Sequence, residues 1–245
     1  MKLASRDFPA NTVSDDPVKT IGHAFARPAL LVEALTHPSA IAPIRGNRRR
    51  RLASPQGYER LEFLGDRVLG LVVADLLWRR HPDETEGHLT RRHAQLVRRD
   101  ALAEVARRIG LDRHLVASPA EVASGAARNP SILADICEAV IAAIYLDAGY
   151  AAAFAFVERW WWPLIDAMER PPQDPKTRLQ EWAQARGLGL PAYRVVATEG
   201  PSHAPRFTVA ASVAQSEEAS ATGSSKRAAE TGAAAALLER LAGDA

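Results

Sequence analysis

Cysteine is almost absent from this sequence. Cys137 is the only one in 245 residues, so no disulfide can close within the chain and no CxxC pair is available for zinc. That fits a reducing compartment, and a cytoplasmic location is expected. Lysine is scarce as well: Lys2, Lys19, Lys176 and Lys226 are the only four among 31 basic residues, which leaves 27 arginines. Arginine presents a planar fork of donors suited to phosphate, although genomic base composition accounts for the bias equally well. An excess of one charge is also missing. The formal net charge is +2, which excludes a polycation that holds nucleic acid by bulk charge alone. No uninterrupted apolar run reaches the ~18 residues of a membrane-spanning helix, and residues 1–20 contain no stretch resembling a signal peptide. A soluble protein without a membrane partner is expected.

What remains is ordinary for a globular protein, with 47% hydrophobic and 24% charged residues and enough length for one or two domains. Residues 1–17 read as an N-terminal extension. Residues 18–168 read as helix after helix, because apolar residues recur at helical spacing and alternating β-branched runs are scarce. Breaks are expected at residues 81–82, at Gly110, between Ser118 and Pro130, and at Gly149. Pro171-Pro172-Gln173-Asp174-Pro175 is a stiff polar break, and residues 169–174 read as a linker. Beyond it the pattern changes. Residues 176–186 suggest a helix, 191–198 and 206–212 strands, 215–221 a short third strand, and 224–241 an Ala-rich helix. The expected fold is an all-α domain at 18–168 followed by a small α+β domain, α-β-β-β-α, at 175–243.

Carboxylates stand out in residues 59–66, ERLEFLGD. At 100° per residue Glu59, Glu62 and Asp66 share one stripe of a helix, while Leu61, Leu64, Val68 and Val72 take the opposite face. Residues 69–77 are apolar nearly all round, so this helix is expected to be central and buried. Acids entering such a helix need a partner or a cation, and none of the three has Lys or Arg three or four positions away. Asp135 and Glu138 repeat the pattern within 131–139, SILADICEA. Either cluster alone could simply be acids favouring the start of a helix dipole. Together they make a cage for hydrated magnesium, with manganese as a substitute, because all-oxygen donor sets suit these ions rather than zinc. Metal-activated water attacking a phosphodiester needs little more. No rival nucleophile is evident: Cys137 lies in an apolar stretch and reads as core, and His37, His81, His88 and His93 are scattered without HExxH spacing. Trp160-Trp161-Trp162 reads as core packing rather than a stacking platform.

At these residues the sequence resembles the ribonuclease III family. Its signature is matched by residues 59–69, ERLEFLGDRVL, and a second block by 133–147, LADICEAVIAAIYLD. Thr36-His37-Pro38-Ser39 resembles the family's Thr-His-Arg-Ser segment, and Glu86-Gly87 with residues 89–97 resembles the block between the acidic clusters. The resemblance implies magnesium ligands at Glu62, Asp66, Asp135 and Glu138, with Asp66 and Glu138 catalytic and Glu59 and Glu86 as auxiliary acids. It also implies a homodimer with Phe63 as a knob in the partner's socket, ordinary intramolecular core being the other reading of Phe63. Two departures are visible. Arg67 stands where the family commonly has a small residue, and residues 41–57 are longer and more basic than the usual loop.

Residues 176–181, 200–203 and 223–230 resemble a double-stranded-RNA-binding domain. The match implies minor-groove contacts from Gln180 and His203 and phosphate contacts from Lys226 and Arg227 at a helix N-terminus. Glu230 stands where many such domains carry another lysine. The expected activity is endonucleolytic cleavage of double-stranded RNA, leaving 5′-phosphate and 3′-hydroxyl ends with two-nucleotide 3′ overhangs, on ribosomal RNA precursors and structured messages. A catalytically silent RNA-binding scaffold and a small-molecule phosphohydrolase are the alternatives. The basic insert at residues 45–51 reads either as an auxiliary phosphate-binding loop or as a surface insertion without a role.

Overall fold

The computed structural model describes residues 16–41, 57–201, 204–214 and 218–243. The basic insert at 45–51 and His203 lie outside the described residues. The chain divides into two compact units, Met1–Pro171 and Pro172–Ala245.

The first unit is helical: α1 Pro17–Ile21, α2 Pro28–Ala34, α3 Glu59–Arg80, α4 Glu86–Leu96, α5 Arg99–Ile109, α6 Pro119–Ala123 and α7 Pro130–Asp166. Local chemistry explains several boundaries. Proline occupies the first turn of α1, α6 and α7, and Asp16, Ser118 and Asn129 cap those helices by accepting from backbone N–H groups. Gly110 ends α5 in the left-handed conformation. Gly149, at φ 81° and ψ −174°, breaks α7 into two halves in a region of backbone space that only glycine enters readily.

α3 and α7 share the most extensive packing in this unit. Leu69, Val72, Val73, Leu76 and Leu77 of α3 and Leu133, Ile136, Val140, Ile141 and Ile144 of α7 are buried. α7 contains an apolar stretch long enough by length and composition to cross a membrane, but its aliphatic side chains form the centre of this core. Cys137 is fully buried, and burial pushes its thiol far up, so it is inert core. The three tryptophans are buried too, and Trp161 Nε1 donates to the Leu96 carbonyl at 2.9 Å.

One expectation needs correcting. α3 is buried on one side only: Phe63, Leu71 and Trp78 are 64%, 59% and 71% exposed and fall in one sector of the helix about a quarter-turn wide. Apolar composition all round does not require all-round burial within one chain.

The second unit consists of α8 Pro175–Gln184, strands β1 Ala192–Glu199, β2 Arg206–Ser212 and β3 Ala219–Gly223, and α9 Lys226–Gly243. The sheet is antiparallel in the order β1-β2-β3, with a bulge in β1 between Val195 and Ala197. Leu179 and Ala183 of α8 and Ala233, Ala234 and Leu237 of α9 pack with Ala211 and Ala219 of the sheet. Asp174 caps α8 and Pro175 opens it, so the linker's last residues are also a helix start.

Candidate active site

Gly65 sets the separation of the two acid-bearing helices. A Cβ at this position would lie 1.8 Å from the Glu138 carbonyl oxygen, so only glycine lets α3 and α7 approach here. Glu62 and Asp66 flank that contact on α3, and Asp135 and Glu138 face it from α7.

Glu62 and Glu138 feel the charges of the acids around them. Glu138 is pushed up to about 8, first by burial and then by the charges of Asp66, Glu62 and Asp135. Glu62 is raised by burial and by Asp135, Glu59 and Asp66. Asp135 is raised by burial, against opposing contributions from the Tyr58 hydroxyl, Arg99 and His37. Glu59, exposed at the first position of α3, thus belongs to the same field.

Among the described residues, no three acidic, histidine or cysteine side chains converge tightly enough to form a ready-made metal cage. The donor chemistry nevertheless fits a hard divalent cation. Burial and mutual repulsion drive Glu62 and Glu138 toward the neutral acid, and a bound cation would relieve that penalty.

Sequence reasoning missed Tyr58 as a neighbour of these acids and noted His37 only within the segment 36–39 and among the scattered histidines. Tyr58 is 3% exposed, and its hydroxyl donates to Asp135 Oδ2 across 3.4 Å. Burial and the acids around it push the phenol far up, so it stays a donor. The His37 ring lies edge-on to Tyr58, with centroids 5.6 Å apart, and its Nδ1 accepts from the Ser39 backbone N–H. Nothing in the spacing around Tyr58 announced its approach to Asp135, 77 positions away.

Asp66 calls for a second correction. It has no cation three or four positions away, yet its Oδ2 accepts from Arg67 Nη1 at 2.6 Å. The arginine folds back along the helix because Nη1 also reaches the Phe63 carbonyl, at 3.2 Å, and the guanidinium sits 4.2 Å from the Phe63 ring centroid. An adjacent residue can pair when an aromatic one turn earlier holds its stem.

Phe63 is not intramolecular core. Glu86 opens α4 with its carboxylate accepting from the Thr90 hydroxyl at 2.7 Å, and that partner is not one of the four acids. Asp147, whose side chain is 2% exposed, accepts from His23 Nε2 and from the Ala26 and Arg27 backbone N–H groups, tying the chain before α2 to α7. The His23 hydrogen bond holds this carboxyl low.

Comparisons with known proteins match both units. The family described as Ribonuclease-III-like matches residues 27–164, and the double-stranded RNA binding motif matches residues 175–241. The curated Ribonuclease 3 of Azorhizobium caulinodans is 51% identical over 220 residues, covering 90% of this chain and 91% of its own. That of Nitrobacter winogradskyi is 48% identical, covering 90% of this chain and 80% of its own.

The chain belongs to the ribonuclease III family. The solved nuclease domain of ribonuclease III from Campylobacter jejuni is similar to it at 33% identity and a TM-score of 0.51, covering 60% of this chain and 97% of that domain. The second unit, which matches the double-stranded RNA binding motif, is the chain's double-stranded-RNA-binding domain.

On that domain an open cleft of about 640 Å³ is lined by Lys176, Thr177, Gln180, Lys226, Arg227 and Glu230, together with Asp174. Gln180, Lys226 and Arg227 are thereby brought to one surface. Lys226 and Arg227 open α9, where Ser225 Oγ accepts from the Ala228 N–H. Glu230 departs from the expected basic pattern with a structural consequence: its Oε2 accepts from Lys176 Nζ at 2.6 Å, so the carboxylate neutralises one cation of the cleft.

Proposed function

We propose that this protein is a double-strand-specific endoribonuclease that hydrolyses phosphodiester bonds with magnesium held by Glu62, Asp66, Asp135 and Glu138. The observation that carries the reading is the approach of α3 and α7 at Gly65, which brings two acid pairs into one electrostatic field. When bound, magnesium would supply Lewis acidity that makes water nucleophilic at neutral pH and offsets charge on the transferring phosphate. The chain's own residues do the rest. Tyr58 directs its hydroxyl at Asp135, a long contact that favours one orientation of that carboxylate. Burial and the neighbouring acids favour the protonated form of Glu138 in the metal-free chain, and a bound cation would favour loss of that proton. Glu59 and Glu86 are auxiliary acids, with Glu59 the one that contributes to the field of the site. Lys226, Arg227 and Gln180 read A-form RNA by shape and phosphate position.

The reading includes a homodimer. The exposed Phe63, Leu71 and Trp78 supply an apolar stripe that a second copy would cover, and a pair of acid sites matches two strands. It also includes 5′-phosphate and 3′-hydroxyl products with two-nucleotide 3′ overhangs, ribosomal RNA precursors and structured messages as substrates, and a cytoplasmic location.

Glu138→Ala tests the assignment. Cleavage should fall on the order of 10²-fold or more, beyond what loss of an outer partner costs, while duplex binding by the second domain survives. Wild-type turnover by this variant at saturating magnesium would sink the proposal.

A further inference from the structure

Arg67 touches both features on which the proposed function depends. Its guanidinium donates to the Asp66 carboxylate at 2.6 Å, donates to the Phe63 carbonyl at 3.2 Å, and stacks on the Phe63 ring at 4.2 Å. Three anchors hold one side chain against the helix that carries half of the acid cluster. Arg67 is also a cation that acts on Glu138, opposing the acids that raise it. A carboxylate oxygen engaged by a guanidinium offers fewer lone pairs to a metal.

We propose that Arg67 is a tethered counter-cation: it occupies Asp66 in the metal-free chain and is displaced when a divalent cation takes that carboxylate. The inference rests on reading Asp66 as a metal ligand. Physical chemistry sets its scale. Both partners are open to solvent, with side chains 59% and 47% exposed, so the pair is of the weak surface kind. A metal ion carrying two charges and coordinated by several carboxylates wins the competition, at a modest cost in affinity. Displacement also frees the Phe63 ring, because the same guanidinium covers it.

Calorimetry of the full chain with Mn²⁺, without RNA, reads this directly. Arg67→Gln should bind Mn²⁺ roughly two- to fivefold more tightly than wild type, the factor that an exposed ion pair represents. Arg67→Ala should give the same answer without an amide that could itself hydrogen-bond Asp66. Arg60→Gln removes an equal charge from an exposed position on the same helix and should change affinity little. Unchanged or weaker Mn²⁺ binding in both Arg67 variants overturns the proposal. Equal tightening in Arg60→Gln overturns it too, because the effect is then diffuse charge rather than occupancy of Asp66. A wild-type chain that binds no Mn²⁺ strikes at the metal-ligand reading itself and takes this inference down with it, an outcome distinct from the other two.

Discussion

Glu138 is the acid on which the surroundings press hardest, and its pH behaviour has a definite sign. In the folded chain burial and the neighbouring acids push it up to about 8, from an ordinary value of 4.5. Below the ordinary value it is protonated in both folded and unfolded chains, and folding carries no penalty. Between the two values the unfolded chain ionises while the folded one does not. The stability of the metal-free protein therefore falls as pH rises toward about 8 and then levels off. Glu62 and Asp135, raised in the same direction, deepen the fall. In thermal melts without metal, Glu138→Gln should flatten this decline between roughly pH 5 and 8, since a neutral amide has no proton to lose. A decline as steep as wild type's would show that the strain does not reside at Glu138. Gly65 gives a second prediction of this kind. Gly65→Ala places a methyl group against the Glu138 backbone, so α3 and α7 must separate. The expected cost is at the upper end of ~1–3 kcal/mol, accompanied by weaker divalent-cation binding. A melt and a metal titration indistinguishable from wild type would contradict the close approach.

Elements were legible in the sequence where periodicity and punctuation agreed. Acids on one stripe and aliphatics on the other marked α3, and Gly110, Gly149 and the prolines marked real boundaries. The third strand was less legible, because small residues such as Ala219, Ser220 and Ala221 carry little β signal; it starts later than expected, at Ala219. Contacts set by tertiary approach were not legible at all. The Tyr58–Asp135 hydrogen bond and the Gly65–Glu138 contact join segments far apart in sequence, and the Arg67–Asp66 pair escapes any rule based on helical i,i+4 neighbours. α8 and α9 supply a test at this scale. The Lys176–Glu230 pair joins them across the cleft and cancels one of its positive charges. Glu230→Lys should strengthen duplex RNA binding and steepen log affinity against log salt by about one to two units, as an added cation and a freed Lys176 reach phosphates. An unchanged slope would mean that the cleft does not face the RNA backbone.

At the scale of the whole molecule, the described residues of the nuclease domain leave the apolar stripe of Phe63, Leu71 and Trp78 exposed. Light scattering should give about twice the 26.5 kDa of one chain. Phe63→Asp combined with Trp78→Asp should shift the mass toward one chain, because burying two carboxylates in an apolar interface is costly. Retention of the dimer by that double variant would place the interface elsewhere. In the proposed function, two acid pairs, held together where α3 meets α7, cut duplex RNA with a divalent cation. The most direct measurement is to incubate the full chain with a long, end-labelled RNA duplex, with and without magnesium, and to determine product length and end chemistry. Cutting is expected only with magnesium, to short duplexes bearing 5′-phosphates and two-nucleotide 3′ overhangs. An intact duplex in magnesium, or equal cutting in a chelator, would contradict it.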